Sequence, residues 1–393
     1  MFRGITHRVA AVRLLALTVL WLCGSGSLLA QTFNTIYVFG GGGSPRGTLV
    51  EGTDGNLYGT TYGKYGNGMI FKITPGGTFT TLHSGGAFQV GLTLGTDGNF
   101  YGTSVAGGTS GGGYIFRITP SGTFTMLSAF GPLPDGHLPE KLVQATDGNF
   151  YGTTLQGGTN GGGMLFRITP TGTRTTVYNF CSLKSCADGT APLGLIQGTD
   201  GNLYGVTGGG GTAGGYGTVF KITTTGTLTT LHSFDLTDGS GPEGLVQASD
   251  GNFYGTTNSG GFSNSSCNAG NTAGTCGTVF KITPTGAFTI LHLFSFTDGG
   301  NPGVPPIQAS DGNLYGTTSD GGGTSAGTVF KITSTGTLTT LHNLDTKNGD
   351  GTFPMGLVQH TNGTFYGPTI RGGNIEYRTC PVWCGTLFSL SVP

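Results

Sequence analysis

Charge is what this chain has least of. Asp, Glu, Lys and Arg make up 9% of its 393 residues, 17 basic against 18 acidic, for a net charge of −1 at pH 7. A balance that thin leaves no electrostatic footprint for nucleic acid or for an anionic membrane surface, and neither is expected as a partner. Tryptophan is as scarce, with only Trp21 and Trp383. Beyond residue 30 no apolar run reaches spanning length, so no membrane span is expected. No stretch there shows the helical apolar period either. Three of the basic residues, Arg3, Arg8 and Arg13, precede the apolar run Leu14 to Leu22 and the small-residue site Ser27-Leu28-Leu29-Ala30. That order predicts a signal peptide, residues 1–30, cleaved after Ala30, and a secreted, extracellular product. Cys23 offers the alternative of a lipoprotein, although Leu20-Trp21-Leu22 is bulky for a lipobox.

The six other cysteines fall into three local pairs, Cys181/Cys186, Cys267/Cys276 and Cys380/Cys384. Close, even spacing in an exported chain predicts three short-loop disulfides. Cys-x3-Cys and Cys-x4-Cys could each supply half a zinc site, but no His lies near any of them. Calcium has a weaker case, since it wants six to eight oxygens and each repeated turn offers a single Asp. Neither a metal nor another cofactor is expected.

What is abundant is glycine, 80 residues, which without a period would read as disorder. Here a period is plain. Asp-Gly-Asn-(Leu/Phe)-Tyr-Gly starts at Asp54, Asp97, Asp147, Asp200, Asp250 and Asp311, with a degenerate seventh copy at Asn362. Repeats of this length with strand-like content mean a repeat architecture. One unit reads as four strands. Gly244 to Ala248 is followed by an Asp-Gly turn, expected to be a two-residue type I′ hairpin. Phe253 to Thr257, Gly277 to Thr283 and Ala287 to His292 follow, the last two joined by Pro284-Thr285-Gly286. Seven such units predict an all-β, seven-bladed β-propeller with four antiparallel strands per blade, a single domain over residues 31–393. The last unit lacks a fourth strand, and residues 32–39 resemble the missing one. The N-terminal strand is therefore expected to close blade seven and leave no bare edge.

Other repeated positions read as structure. Lys72, Arg117, Arg167, Lys221, Lys281 and Lys331 share one place on the third strand, where they are expected to pair with the turn Asp. Blade seven has lost both partners, with Asn362 and Ser389 instead. His83, His232, His292 and His342 recur on the fourth strand. A second Asp-Gly, at Asp135, Asp188, Asp238, Asp298 and Asp350, is expected to cap the lead-in to each first strand.

The unit Leu-Val-Gln-x-(Ser/Thr)-Asp-Gly-Asn-(Leu/Phe)-Tyr-Gly-Thr-Thr, followed by Gly-Thr-Val-Phe-Lys-Ile-Thr-x-x-Gly-Thr-Leu-Thr-x-Leu-His, resembles the GloVer-type (choice-of-anchor) tandem repeat of exported bacterial proteins, over residues 32 to 391. The resemblance implies a propeller and no particular activity. Such proteins often carry a C-terminal anchor; Phe388 to Pro393 carries none, so free secretion is expected. A weaker similarity, to the propellers of streptogramin-type lyases and two-component sensor ectodomains, speaks for fold alone.

Strand order puts both short turns on one face and all long loops, with every cysteine pair, on the other. Variable loops on a rigid scaffold are where binding sits. The richest cluster joins Arg371, Glu376, Tyr377, Arg378 and Trp383 of blade seven to Tyr62, Lys64 and Tyr65 of blade one. Aromatic and Arg side chains are the usual anchors of a binding surface. The plainer alternative is that Trp383 and Tyr377 pack over the Cys380/Cys384 bridge. His137 and Glu140 form the alternative catalytic pair, a general base and acid at the channel mouth. The expectation is thus a monomeric binding or scaffold protein that recognises an extracellular glycan or protein partner without chemistry. The alternative is a lyase or hydrolase of a polysaccharide or small cyclic substrate.

Overall fold

The computed structural model describes residues 31–40, 43–63, 67–261, 267, 274–372 and 384–393. These form seven antiparallel sheets, the blades of a seven-bladed β-propeller. In blade five, Ser240–Gln247, Phe253–Ser259, Thr278–Ile282 and Phe288–Leu293 lie side by side in chain order from axis to rim. Helix among the described residues is confined to short 3₁₀ turns such as Lys184–Cys186 and Thr346–Asn348. None is long and apolar enough to cross a membrane.

The ring closes through the chain ends. Thr32–Val38 runs antiparallel to Thr386–Ser391, with Thr32 opposite Ser391 and Val38 opposite Thr386. The Phe33 ring stacks on Phe388 at 4.9 Å and on His342 of blade six at 3.8 Å, so the added strand also seals a blade interface. At the same closure His360 is buried, its Nε2 2.9 Å from the Gly55 carbonyl and 3.4 Å from Glu51.

Blades pack through the signature itself. Each signature Tyr lies against the Leu or Phe that precedes the Tyr of the next blade: Tyr58 on Phe100, Tyr101 on Phe150 and Tyr204 on Phe253, all stacked at 4.0 Å. Where the next blade has Leu, the pair shares one core cluster, as for Tyr151 with Leu203, Tyr254 with Leu314 and Tyr366 with Leu57. Five of these tyrosines are at most 1% exposed. Burying such rings contributes the bulk of the interface energy, at about 25 cal/mol per Å² of apolar area.

The Asp-Gly turn differs from the expected two-residue hairpin. The Gly52 N–H bonds to the Asn56 carbonyl and the Gly55 N–H to the Gly52 carbonyl, which encloses three residues. Gly55 has φ of 70° while Asp54 is not among the positive-φ residues. This is the three-residue loop in which only the last position is left-handed. Its reason is the Asp side chain, which accepts from the Asn56 backbone and amide and from the Tyr58 hydroxyl at 2.6–3.1 Å. The third-strand cation completes the knot, with Lys72, Lys221 and Lys281 at 3.9, 2.8 and 3.1 Å from their turn Asp.

The second Asp-Gly does cap the lead-in to the first strands. Asp238, Asp298 and Asp350 accept backbone N–H groups and also meet His232, His292 and His342 at 2.8–2.9 Å. In blade three Tyr178 takes the histidine's place against Asp188, and Asp135 is clamped by the two terminal guanidinium nitrogens, Nη1 and Nη2, of Arg174. Disulfides join Cys181 to Cys186 and Cys267 to Cys276. Cys384 is also disulfide-bonded, while Cys380 lies outside the described residues.

Candidate functional site

The innermost strand of each blade is interrupted by a bulge, and the bulge builds the site. In blade three Pro139 faces Thr154 and Val143 faces Tyr151, so one strand spends four steps where its partner spends three. Blades four and five shift register at the same place, after Pro192 and Pro242. A bulge breaks the alternation of side chains and re-aims them. Here the residue after the proline and its successor both turn to the propeller axis. The result is an axial cavity of about 680 Å³.

Around it the blades contribute, in order, Arg46, Val90, Glu140, Leu193, Glu243, Val304 and Met355. Their equivalence shows in the backbone. Thr60, Thr103 and Thr256 donate to the carbonyls of Val90, Glu140 and Val304 in the following blade. Lys141 follows Glu140 into the cavity, where five other blades place Gly47, Gly91, Gly194, Gly244 or Pro305. A Cβ added at Gly194 would meet nothing within 4 Å, so the space there is open.

Among the described residues four charged side chains line this largely apolar cavity. Lys141 reaches to blade one, its Nζ 3.3 Å from Thr48 Oγ1, and burial lowers its pKa. The Arg46 guanidinium lies over the Tyr62 ring at 4.9 Å. Glu140 and Glu243 have no hydrogen-bond or ion-pair partner for their carboxyls among the described residues. Such exposure as they keep is to the cavity, and withdrawal from bulk water pushes Glu140 up to about 7. Glu243 is raised further, to about 8, by burial first and then by the negative charge of Glu140. Near neutral pH the two carboxyls are therefore partly protonated, and can donate a hydrogen bond, accept one, or hold a cation.

Of the residues expected on the loop face, Tyr62 and Arg371 are described. Tyr62 is opposite Ser44, and the Ser44 hydroxyl donates to Ile370 next to Arg371, so blades one and seven are tied here. Arg371 lies over the Phe353 ring at 5.0 Å. Lys64, Tyr65, Glu376, Tyr377, Arg378 and Trp383 lie outside the described residues. His137 and Glu140 share one inner strand but part company: Glu140 lines the cavity, whereas His137 Nε2 meets the Gly131 carbonyl at 3.2 Å and is not in the lining. Among the described residues no group of three His, Cys, Asp or Glu could hold a metal ion.

Sequence reasoning missed Arg46, Lys141 and Glu243. The signal was there: Pro45-Arg46, Pro139-Glu140, Pro192-Leu193, Pro242-Glu243 and Pro354-Met355 set a fixed proline before a residue of changing chemistry.

Seven four-stranded blades around a walled axial cavity define the class as a β-propeller. The chain belongs to the Gloeobacter/Verrucomicrobia repeat family, whose sequence profile matches residues 27–143, 88–267 and 265–392. No curated protein matches it in sequence. Among solved structures it is similar to the extracellular domain of a proposed hybrid two-component system from B. thetaiotaomicron, at 12% identity and a TM-score of 0.61, over 92% of this chain and 40% of that one. The chain thus spans about two fifths of that ectodomain. It is similar also to an oligogalacturonate lyase from Vibrio parahaemolyticus, at 11% identity and a TM-score of 0.56, over 93% and 95% of the two chains. A proposed 6-phosphogluconolactonase from Bacteroides uniformis matches at 16% and 0.50, over 75% and 83%. At these identities the likeness is one of fold.

Proposed function

We propose that this is an exported binding propeller that recognises an extracellular glycan or protein partner with its loop face and carries out no chemistry of its own. The observation that carries the reading is the axial cavity of about 680 Å³, within the size range of small-ligand sites and joined to the loop face by the Arg46–Tyr62 contact. The disulfides fit an extracytoplasmic setting. In this reading Trp383, Arg378, Tyr377, Glu376, Arg371, Lys64 and Tyr65 form a rim beside Tyr62. Trp383, the single Trp after leader cleavage, is the reporter: its emission should change saturably with polysaccharides or peptides. Trp383→Ala with Arg378→Ala, followed by calorimetry because the reporter is gone, should abolish that binding without unfolding; unchanged affinity would remove the rim from the site.

A second reading, a lyase or hydrolase of a polysaccharide or small cyclic substrate, is favoured by one observation. Glu140 and Glu243 titrate where a general acid and base are useful. It requires turnover that disappears in Glu140→Gln, and in His137→Ala if that residue takes part. A broad substrate panel without turnover argues against it.

A further inference from the structure

We propose that the axial cavity is a receptor site for an aliphatic primary ammonium group, held between Glu140 and Glu243 with its hydrocarbon stem along Leu193, Val304 and Met355. Glu140 stands on blade three and Glu243 on blade five, and Leu193 of blade four comes between them in the ring. Neither carboxyl has a hydrogen-bond or ion-pair partner among the described residues. A carboxylate withdrawn from bulk water without a partner is costly, and a cation that supplies both charge and N–H donors removes that cost. An apolar wall beside paired acids suits a group that is charged at its tip and hydrocarbon behind.

The two basic side chains of the cavity do not satisfy the acids. Lys141 is turned to Thr48 of blade one, and Arg46 lies on Tyr62 of the same blade. The cavity therefore has a basic side at blade one and an acidic side at blades three to five. A ligand carboxylate would leave the acidic side unanswered, whereas an ammonium group is attracted to it and repelled from the basic side. Among the described residues four charged groups face the space: Arg46, Glu140, Lys141 and Glu243. Both carboxyls hold protons to near-neutral pH or above, so seating the cation expels protons and the affinity should rise with pH.

The cavity exceeds the needs of a small diamine, so the ammonium has two sources, a free amine or a lysine side chain on a peptide partner. The second source rests on the binding reading above; the first does not. The test is calorimetry on the mature full chain at pH 8 and pH 6. The probes are cadaverine and the blocked tripeptide Gly-Lys-Gly, with Gly-norleucine-Gly and glutarate as controls. The amines should bind at pH 8 and about tenfold more weakly for each proton displaced per pH unit. The heat should depend on the ionisation enthalpy of the buffer. A tighter tripeptide identifies lysine on a partner, and a tighter cadaverine a free amine.

Glu140→Gln with Glu243→Gln should lose at least tenfold in affinity. Gly194→Leu, which fills open space, should block both probes while melting as wild type does. Glutarate or the norleucine peptide binding as well as the amines overturns the proposal, as does unchanged affinity in either variant or no amine binding at all. If the amine test fails while Trp383 still responds to glycans or peptides, this inference alone falls and the loop-face reading stands.

Discussion

Two sets of carboxyl groups in this molecule have opposite fates. On the turn face the signature Asp recurs in six blades and each meets the same Asn and Tyr, and in several the same Lys. Asn, Tyr and Lys donors hold Asp54, Asp200 and Asp250 below the ordinary carboxylate range, against a burial that would raise them. On the axis, Glu140 and Glu243 stand at a position where four other blades have Val, Leu or Met and blade one has Arg46, and burial pushes both acids up. A repeated group with partners stabilises the ring. A group that departs from the repeat and has no partner costs stability, which is the usual mark of a site.

The largest effect expected from breaking this contrast is at the turn-face tyrosines. Tyr204 is fully buried, stacks on Phe253 and donates to Asp200 at 2.8 Å. Tyr204→Ala should cost about 3–5 kcal/mol, the range for emptying a buried aromatic site. Tyr204→Phe, which keeps the ring and loses the bond, should cost about 1–2 kcal/mol. Urea unfolding of both checks the ratio. A cost for Tyr204→Ala no larger than that for Tyr204→Phe would mean that the stack does not hold the blades together.

Next in size is the pH dependence, where the two sets should pull in opposite directions. Glu140 and Glu243 have folded pKa values raised above the unfolded value. The folded chain thus binds extra protons between about pH 4.5 and the folded values, about 7 and 8, and stability falls as pH rises across that window. Asp200 and Asp250 are lowered, so their contribution is present above an unfolded pKa of about 3.9 and is lost as pH falls below it. Both Asp side chains are more than a third exposed, at 38% and 37%, so solvent screening limits each to about 1 kcal/mol or less. Melting temperature against pH should peak near pH 5. Glu140→Gln with Glu243→Gln should hold the plateau to pH 8, a gain of a few degrees there, while Asp200→Asn should lower the curve evenly above about pH 4 and flatten its acid limb, leaving the alkaline slope unchanged. A double Gln variant that falls in parallel with wild type would refute the assignment of the alkaline slope to the channel.

Much of the regular half of this comparison was legible. The period, the ring closure by residues 32–39, the Asp–Lys pairs and the structural histidines follow from identical residues returning at identical places. The turn type was misread because Asp-Gly permits two hairpins. The side-chain bonds of Asp54, which keep it at negative φ, choose between them. Glu243 was missed for a different reason. An unbroken strand alternates its side chains, and Pro242-Glu243-Gly244 read alone does not announce the bulge that turns Glu243 to the axis; only the proline recurring at that place in other blades does. Glu140 was noticed for its neighbour His137, which the same bulge leaves off the cavity wall.

The smallest expected effect comes from repairing an irregularity instead of making one. Six of the seven blade interfaces carry a clamp on the turn face. The backbone N–H before the signature Asp, or before Asn362, donates to an acid or amide on the next blade's first strand. Gln144, Gln197, Gln247, Gln308 and Gln359 accept at 2.7–2.8 Å, and Glu51 accepts at the closing interface at 2.9 Å. Between blades one and two the corresponding residue is Leu94, which lines the cavity. Leu94→Gln should supply an acceptor to the Thr53 N–H and contribute about 0.5–1 kcal/mol, less the apolar contact that Leu94 gives up. Global unfolding would barely register so small a net change. Hydrogen exchange at the Thr53 amide would register it, slowing toward the rate at Thr199, whose N–H Gln247 already holds. The reverse change, Gln247→Leu, should speed exchange at Thr199 by a similar factor. If Thr53 exchanges no more slowly in Leu94→Gln, the missing clamp is compensated elsewhere, and the interface between blades one and two is as regular as the rest despite its sequence.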